Sequence, residues 1–329
     1  MIGSAARRLL ARAVGMEKTD AAALTAARRV WGSWDAVATA LDQELLAPLM
    51  GWRLREQVFP GDARFKGRLA AAARETLAAN LKARRTFERL RAELAAAGIT
   101  ALGIKGVDVA FASFPHPACR PFTDVDLLVS PDNYRAAEAV LTGAGFRGLK
   151  REARWWPGRT FRRADETVDL HWSPAAALPP RRGMAAMVYE GGDGGATPDE
   201  FRLLVAVCHH QNHFFSLPLL YYWETAWLAR RVSWEKYWPL ARRWSAARAT
   251  RFLLAFAAAM FGGAPARDGF GLLKLVAAPA FGGADLGRGA RAAAAYAVSL
   301  DNPLAALLWG VRRPGWASEI LTRPAGDRA

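Results

Sequence analysis

The chain of 329 residues is poor in cysteine, histidine and lysine: it has two cysteines and five histidines, and only seven of its 45 basic residues are lysine. Cys119 and Cys208 lie too far apart in sequence to suggest a disulfide framework or a zinc ribbon, so a reducing, cytoplasmic setting is the expectation. A membrane-spanning run is missing as well. Leu203 to Trp223 is the longest stretch without Asp, Glu, Lys or Arg. It just reaches the roughly 20 apolar residues a bilayer needs, but His209-His210-Gln211-Asn212-His213 stands in its middle and Pro218 follows. No membrane partner is therefore expected. There is no internal repeat. With 52% hydrophobic and 23% charged residues the chain can fill a core, which excludes collagen-like and disordered classes.

What is abundant is arginine. The formal net charge of +15 favours phosphate-bearing ligands. Yet the pairs Arg28-Arg29, Arg84-Arg85, Arg162-Arg163, Arg181-Arg182, Arg230-Arg231 and Arg242-Arg243 are scattered through an alanine-rich chain instead of forming one basic block. Nucleic acid is an admissible partner, not a required one. Arg7, Arg8 and Arg12 among Ala and Leu give the first fifteen residues a superficial likeness to a targeting peptide, but the apolar run is too short. A frayed end or an upstream start codon is the expectation there, with no function assigned.

Periodicity divides the rest into four segments. Residues 1–98 are a helical region, broken near Gly51 and at Phe59-Pro60-Gly61. Its last helix carries Ala83, Phe87, Leu90 and Leu94 on one stripe and Gly98 at its end. Residues 99–175 alternate strand and helix: a strand over 99–104, a helix over 107–114, a strand over 122–129, a helix opened by Ser130-Pro131, and a hairpin of 161–163 with 167–172. Residues 176–196 are rich in Pro and Gly and read as a linker or loop. Residues 197–329 open on the capping sequence Thr197-Pro198-Asp199-Glu200 and read as a helical domain, with a break near Pro218. The fold class is α+β: a small mixed sheet flanked by N- and C-terminal helical regions.

The chemistry concentrates in Asp124-Val125-Asp126. Alternation along a strand projects both carboxylates to one face. Their repulsion calls for a cation, and hard oxygen ligands suit Mg²⁺. Solvated aspartates at a strand edge would be the alternative, and Asp169 bears on that choice. It stands in Thr167-Val168-Asp169-Leu170-His171 on a predicted neighbouring strand, with His171 on its own face. Three carboxylates on two adjacent strands can hold two cations roughly 4 Å apart, the spacing used in phosphoryl and nucleotidyl transfer. Upstream, Lys105-Gly106 marks a strand-to-helix turn of the kind that admits a phosphate, and Arg120 can fork onto a phosphate oxygen. His209 and His213 share a helix face at metal-ligand spacing but lack the glutamate of zinc proteases. Core packing or contact with nucleotide or acceptor remain open for them, as they do for the tryptophans, among which Trp155-Trp156 is the better candidate for an exposed acceptor contact.

Taken together, Ile104-Lys105-Gly106, Arg120, Asp124-Val125-Asp126-Leu127-Leu128-Val129 and Asp169-Leu170-His171 resemble the uncharacterised bacterial nucleotidyltransferases of the DNA polymerase β-like superfamily. The likeness covers most of the chain and is most specific in the core. It implies a minimal polymerase β-like palm in which Asp124 and Asp126 bind metal and nucleoside triphosphate while Asp169 completes the metal site and helps deprotonate the attacking hydroxyl. It also implies two Mg²⁺ (or Mn²⁺) ions, with an NTP as substrate. Lys105, Gly106 and Arg120 would then contact nucleotide, and His171, His209 and His213 would be accessory. Two departures stand out. The superfamily's Gly-Ser or Gly-Gly turn is here Lys-Gly, with residues 107–123 intervening before the carboxylates, and Glu224 stands where this subgroup tends to show aspartate, so no role is carried onto it. The expected activity is transfer of an NMP to a protein, RNA or small-molecule acceptor with release of pyrophosphate. The alternatives are a non-catalytic nucleotide- or RNA-binding protein that keeps the palm, and a partner-binding helical scaffold.

Overall fold

The computed structural model describes residues 4–149, 158–174, 197–213 and 217–261. The Pro/Gly-rich segment 176–196, Trp155-Trp156 and the helical tail expected beyond 261 lie outside the described residues. Four helices open the chain: α1 (Ser4–Val14), α2 (Ala21–Trp31), α3 (Trp34–Gln43) and α4 (Ala47–Arg53). The stretch expected to fray is thus a helix. Its Leu10, Ala11, Ala13 and Val14 are buried and Arg7 pairs with Glu44 at 2.7 Å, which ties it down. The break expected near Gly51 falls just after it, where α4 ends at Arg53, and Gly51 itself sits inside α4. A Cβ there would come within 1.9 Å of the Leu69 carbonyl oxygen, so glycine is what lets α4 cross the next helix closely.

That helix, α5 (Ala63–Ala96), starts on Asp62, whose carboxylate caps Phe65 N–H at 2.8 Å. At 34 residues it is about 50 Å long, and it ends at Gly98, whose φ of +72° is the left-handed stop expected of it. Its buried stripe serves two cores. Phe65 and Leu69 pack with α1–α4 and the C-terminal helices, whereas Phe87, Leu90 and Leu94 pack against the sheet.

The sheet follows: β1 (Ala101–Ile104), α6 (Gly106–Ala112), β2 (Val125–Val129), α7 (Tyr134–Gly143), β3 (Arg147–Gly148), β4 (Gly158–Arg163) and β5 (Glu166–His171). The strand order is β1-β2-β5-β4-β3. β2 and β5 are parallel and the other pairs antiparallel, so the sheet is mixed and the expected hairpin is β4–β5. β2 begins at Val125, later than expected, which leaves Asp124 in the bend just before it. One sheet face, with Val125, Leu127, Val129, Val168 and Leu170, is sealed by α5 and α7. Ile104 and Leu128 face the other way, into the core shared by the N-terminal helices and α8 (Asp199–Asn212), α9 (Leu219–Ala229), α10 (Trp234–Arg243) and α11 (Ala247–Phe261). The predicted break at Pro218 is real, since Pro218 is the residue before α9. Arg202 on α8 clamps the helix to α6 by holding both Asp108 oxygens, at 2.7 and 3.0 Å.

Candidate active site

The parallel register sets Asp126 directly beside Asp169, and Leu128 beside His171. Alternation turns the apolar neighbours of these residues to the α5/α7 face and leaves the polar residues on the other. Across the antiparallel pair Ile104 stands opposite Asp126, so the residue after β1, Lys105, arrives at the same end of the sheet. Its Nζ donates to Asp126 Oδ1 at 2.5 Å, and His171 Nε2 lies 2.8 Å from that same oxygen. Asp126 and His171 are each 3% exposed.

Charge and burial oppose one another here. Burial, with the negative charges of Asp126 and Asp169 added, pushes the Asp124 carboxyl up to about 7. Burial presses Asp126 the same way, but the Lys105 charge and the His171 hydrogen bond outweigh it and hold this carboxyl down at about 2. Lys105 is itself desolvated, and the charges of Asp126, Asp124 and Asp169 more than compensate, raising its pKa. Asp124 and Asp126 therefore differ by environment: Asp126 is committed to its anionic form while Asp124 titrates near neutrality.

Arg120, expected at a phosphate, is 3% exposed and bound through Nε to Glu224 on α9 at 2.8 Å. Its guanidinium lies 5.0 Å from the Tyr221 ring centroid. Asn80 on α5 fixes the loop that carries it, donating to the carbonyls of Pro117 at 2.7 Å and Arg120 at 2.8 Å. Gly106 meets protein: a Cβ there would lie 2.5 Å from Phe122 Cβ. His209 and His213 do share a face, with ring centroids 4.5 Å apart, and Tyr221 sits 5.1 Å from His209. Burial first, then His213, Lys105, His210 and Arg120, hold His209 neutral with a pKa well below the usual imidazole value. Tyr221, against the His209 ring on one side and the Arg120 guanidinium on the other, places the C-terminal end of α8 on the site's side of the sheet.

A sequence model of the uncharacterised nucleotidyltransferase family matches residues 32–262, well over half of the chain. The chain belongs to that family. Searches of curated proteins and of solved structures find no match. Membership makes a nucleotide the substrate of this nucleotidyltransferase, and the matched span takes in every site residue named above. No described helix is long and apolar enough to cross a membrane.

A divalent metal fits this nucleotidyltransferase site. Asp126, Asp169 and His171 each offer a ligand atom, all within 4.8 Å of one another. Asp169 Oδ1 is buried with no hydrogen-bond partner among the described residues, a costly state for a carboxylate oxygen unless a cation completes it. The ligand cluster brings in His171 beside Asp126 and Asp169, with Asp124 coupled to it through charge. A cavity of about 220 Å³ between α5, β1 and α6 is lined by Arg84, Arg91 and Arg202 but by none of these carboxylates.

The sequence reading did not foresee Asn80, Tyr221 or Glu224 as parts of the site. Asn80 had a signal: Leu69, Ala73, Thr76, Asn80, Phe87, Leu90 and Leu94 form a single buried stripe, and a polar residue inside such a stripe needs a partner.

Proposed function

We propose that this chain is a metal-dependent nucleotidyltransferase with a polymerase β-like palm, moving an NMP from an NTP to an acceptor hydroxyl or similar nucleophile and releasing pyrophosphate. The observation that carries this reading is the in-register Asp126/Asp169 pair with a buried Asp169 oxygen that has no hydrogen-bond partner among the described residues. A bound Mg²⁺ or Mn²⁺ would supply charge stabilisation at the attacked phosphate and the leaving oxygen. The chain's own groups do the positioning. Asp126 and Asp169 hold the cation and Asp124 adds a third carboxylate at the mouth of β2. Asp169 receives the proton of the attacking group. His171 orients Asp126, Lys105 directs its charge at the carboxylates beside the nucleotide's phosphates, Gly106 lets the turn close on Phe122, and Arg120 adds positive field while its pair with Glu224 anchors α9. His209, His213 and Tyr221 border the acceptor side.

The test is pyrophosphate release from each of the four NTPs with Mg²⁺ or Mn²⁺, wild type against Asp126→Asn, with cell lysate as the source of acceptors and the label traced. Release that requires Asp126 is expected, and the label's destination separates protein, RNA and small-molecule acceptors. Equal release by both proteins would overturn the assignment. Saturable, metal-dependent NTP binding without release would convert the reading to a nucleotide-binding protein.

A further inference from the structure

Lys105 holds a backbone conformation that a residue with a Cβ seldom adopts, φ +52° and ψ −128°. Such strain persists only where the surroundings impose it. Glycine would take the same turn without that strain, so the reason for a lysine lies in its side chain. That side chain is 15% exposed and ends on Asp126 Oδ1, the oxygen that His171 also contacts. Its charge acts on Asp124, Asp126 and Asp169 together. An ammonium in this position does what a metal ion does electrostatically: it neutralises converging carboxylates in a desolvated pocket. Meanwhile Asp169 Oδ1 has no hydrogen-bond partner among the described residues, so protein fills one cation position and Asp169 offers a second.

We infer that Lys105 is a resident cation of the carboxylate cluster, so that the nucleotide-free protein binds a single divalent ion, at Asp169 and Asp126, where the family resemblance would place two. The charge count agrees. With all three carboxylates ionised, one ammonium and one divalent cation leave the pocket neutral, whereas a second divalent ion would leave buried positive charge uncompensated. This inference rests on the nucleotidyltransferase reading of the site, and it makes Lys105 a positioning residue that limits metal occupancy.

The experiment is a titration of the full chain with Mn²⁺ alone, without nucleotide, counting bound ions from the loss of the free-ion electron paramagnetic resonance signal. Wild type, Lys105→Met and Lys105→Gly are compared, with Asp126→Asn as control. Lys105→Met keeps the bulk of the side chain and Lys105→Gly relieves the backbone strain, so the two do not share one cause of misfolding. One ion per chain is expected in wild type and two in both lysine variants, together with a larger Mn²⁺-dependent rise in melting temperature for the variants than for wild type. Two ions in wild type would overturn the inference even if neither variant folds. One ion in all three, abolished in Asp126→Asn, would overturn it while leaving the metal site standing. No Mn²⁺ bound by any of them would overturn both the inference and the metal-dependent reading.

Discussion

On one face of the β2–β5 pair, Val125, Leu127, Val168 and Leu170 are sealed against α5 and α7; on the other, Asp126, Asp169 and His171 stand within ligand distance of one another. The two sets alternate along the same strands and both are largely shielded from water, so burial alone does not separate structure from function. The difference lies in how each face is satisfied. The apolar face is closed by area and shape, which many sequences can supply. The polar face needs specific charges: Lys105 and His171 converge on one oxygen of Asp126 while an oxygen of Asp169 has no partner among the described residues. A site that existed only to hold the sheet together would be cheaper as hydrocarbon.

Substitutions matched across the two faces test this contrast most strongly. Asp126→Asn should lower nucleotidyl transfer about a thousandfold or more, because several kcal/mol of transition-state charge stabilisation is lost at tenfold per 1.36 kcal/mol, while circular dichroism reports an intact fold. Glu224→Gln should destabilise the protein by about 3–5 kcal/mol in urea unfolding, since it strands the buried Arg120 guanidinium without its counter-charge. The double variant Arg120→Met/Glu224→Leu should recover much of that loss. Leu127→Ala, on the apolar face and fully buried, should cost about 2–5 kcal/mol by cavity formation yet leave transfer per folded molecule unchanged. If Leu127→Ala and Asp126→Asn lower activity and stability in the same proportion, the two faces are not functionally distinct.

The same contrast explains what was legible in the sequence. Alternation in Asp124-Val125-Asp126-Leu127 and Val168-Asp169-Leu170-His171 locates strands, faces and the carboxylate cluster, because period two is a local property. Gly98 and Pro218 mark helix boundaries for equally local reasons. The partners of the polar face were hidden because they come from far away: Glu224 lies 104 positions from Arg120, and Asn80 lies 40. Arg120 reads as a phosphate ligand until its long-range counter-charge is seen. Gly51 stands two residues before a helix end yet has a different reason to be glycine. A glycine in a helical stretch suggests a break, whereas here it answers to a neighbouring backbone no local pattern reveals. Likewise the lysine of Lys105-Gly106 signals charge, but its left-handed backbone and its place on Asp126 follow only from the pairing of β1 with β2.

The smallest expected effect concerns pH, where the polar face and the helical core pull in opposite directions. Asp124 has a folded pKa raised to about 7, from 3.8. The folded state therefore takes up a proton that the unfolded state does not as pH falls from 7 toward 4, and Asp124 gains stability on acidification. His210 is the reverse. Burial holds it at about 3, against 6.5, so the unfolded chain gains a proton below 6.5 that the folded protein refuses, and stability is lost. Each term amounts to on the order of 2 kcal/mol between pH 7 and 5. His209, also held neutral by burial, adds to the loss. In metal-free buffer, urea unfolding of wild type should show a shallow fall in stability over this range. Asp124→Asn removes the offsetting term, so its stability should fall more steeply by on the order of 2 kcal/mol while exceeding that of wild type at pH 8. Parallel pH profiles for the two proteins would mean that Asp124 is not held against its charge by burial and the neighbouring carboxylates, and that the polar face tolerates its charges as an ordinary surface does.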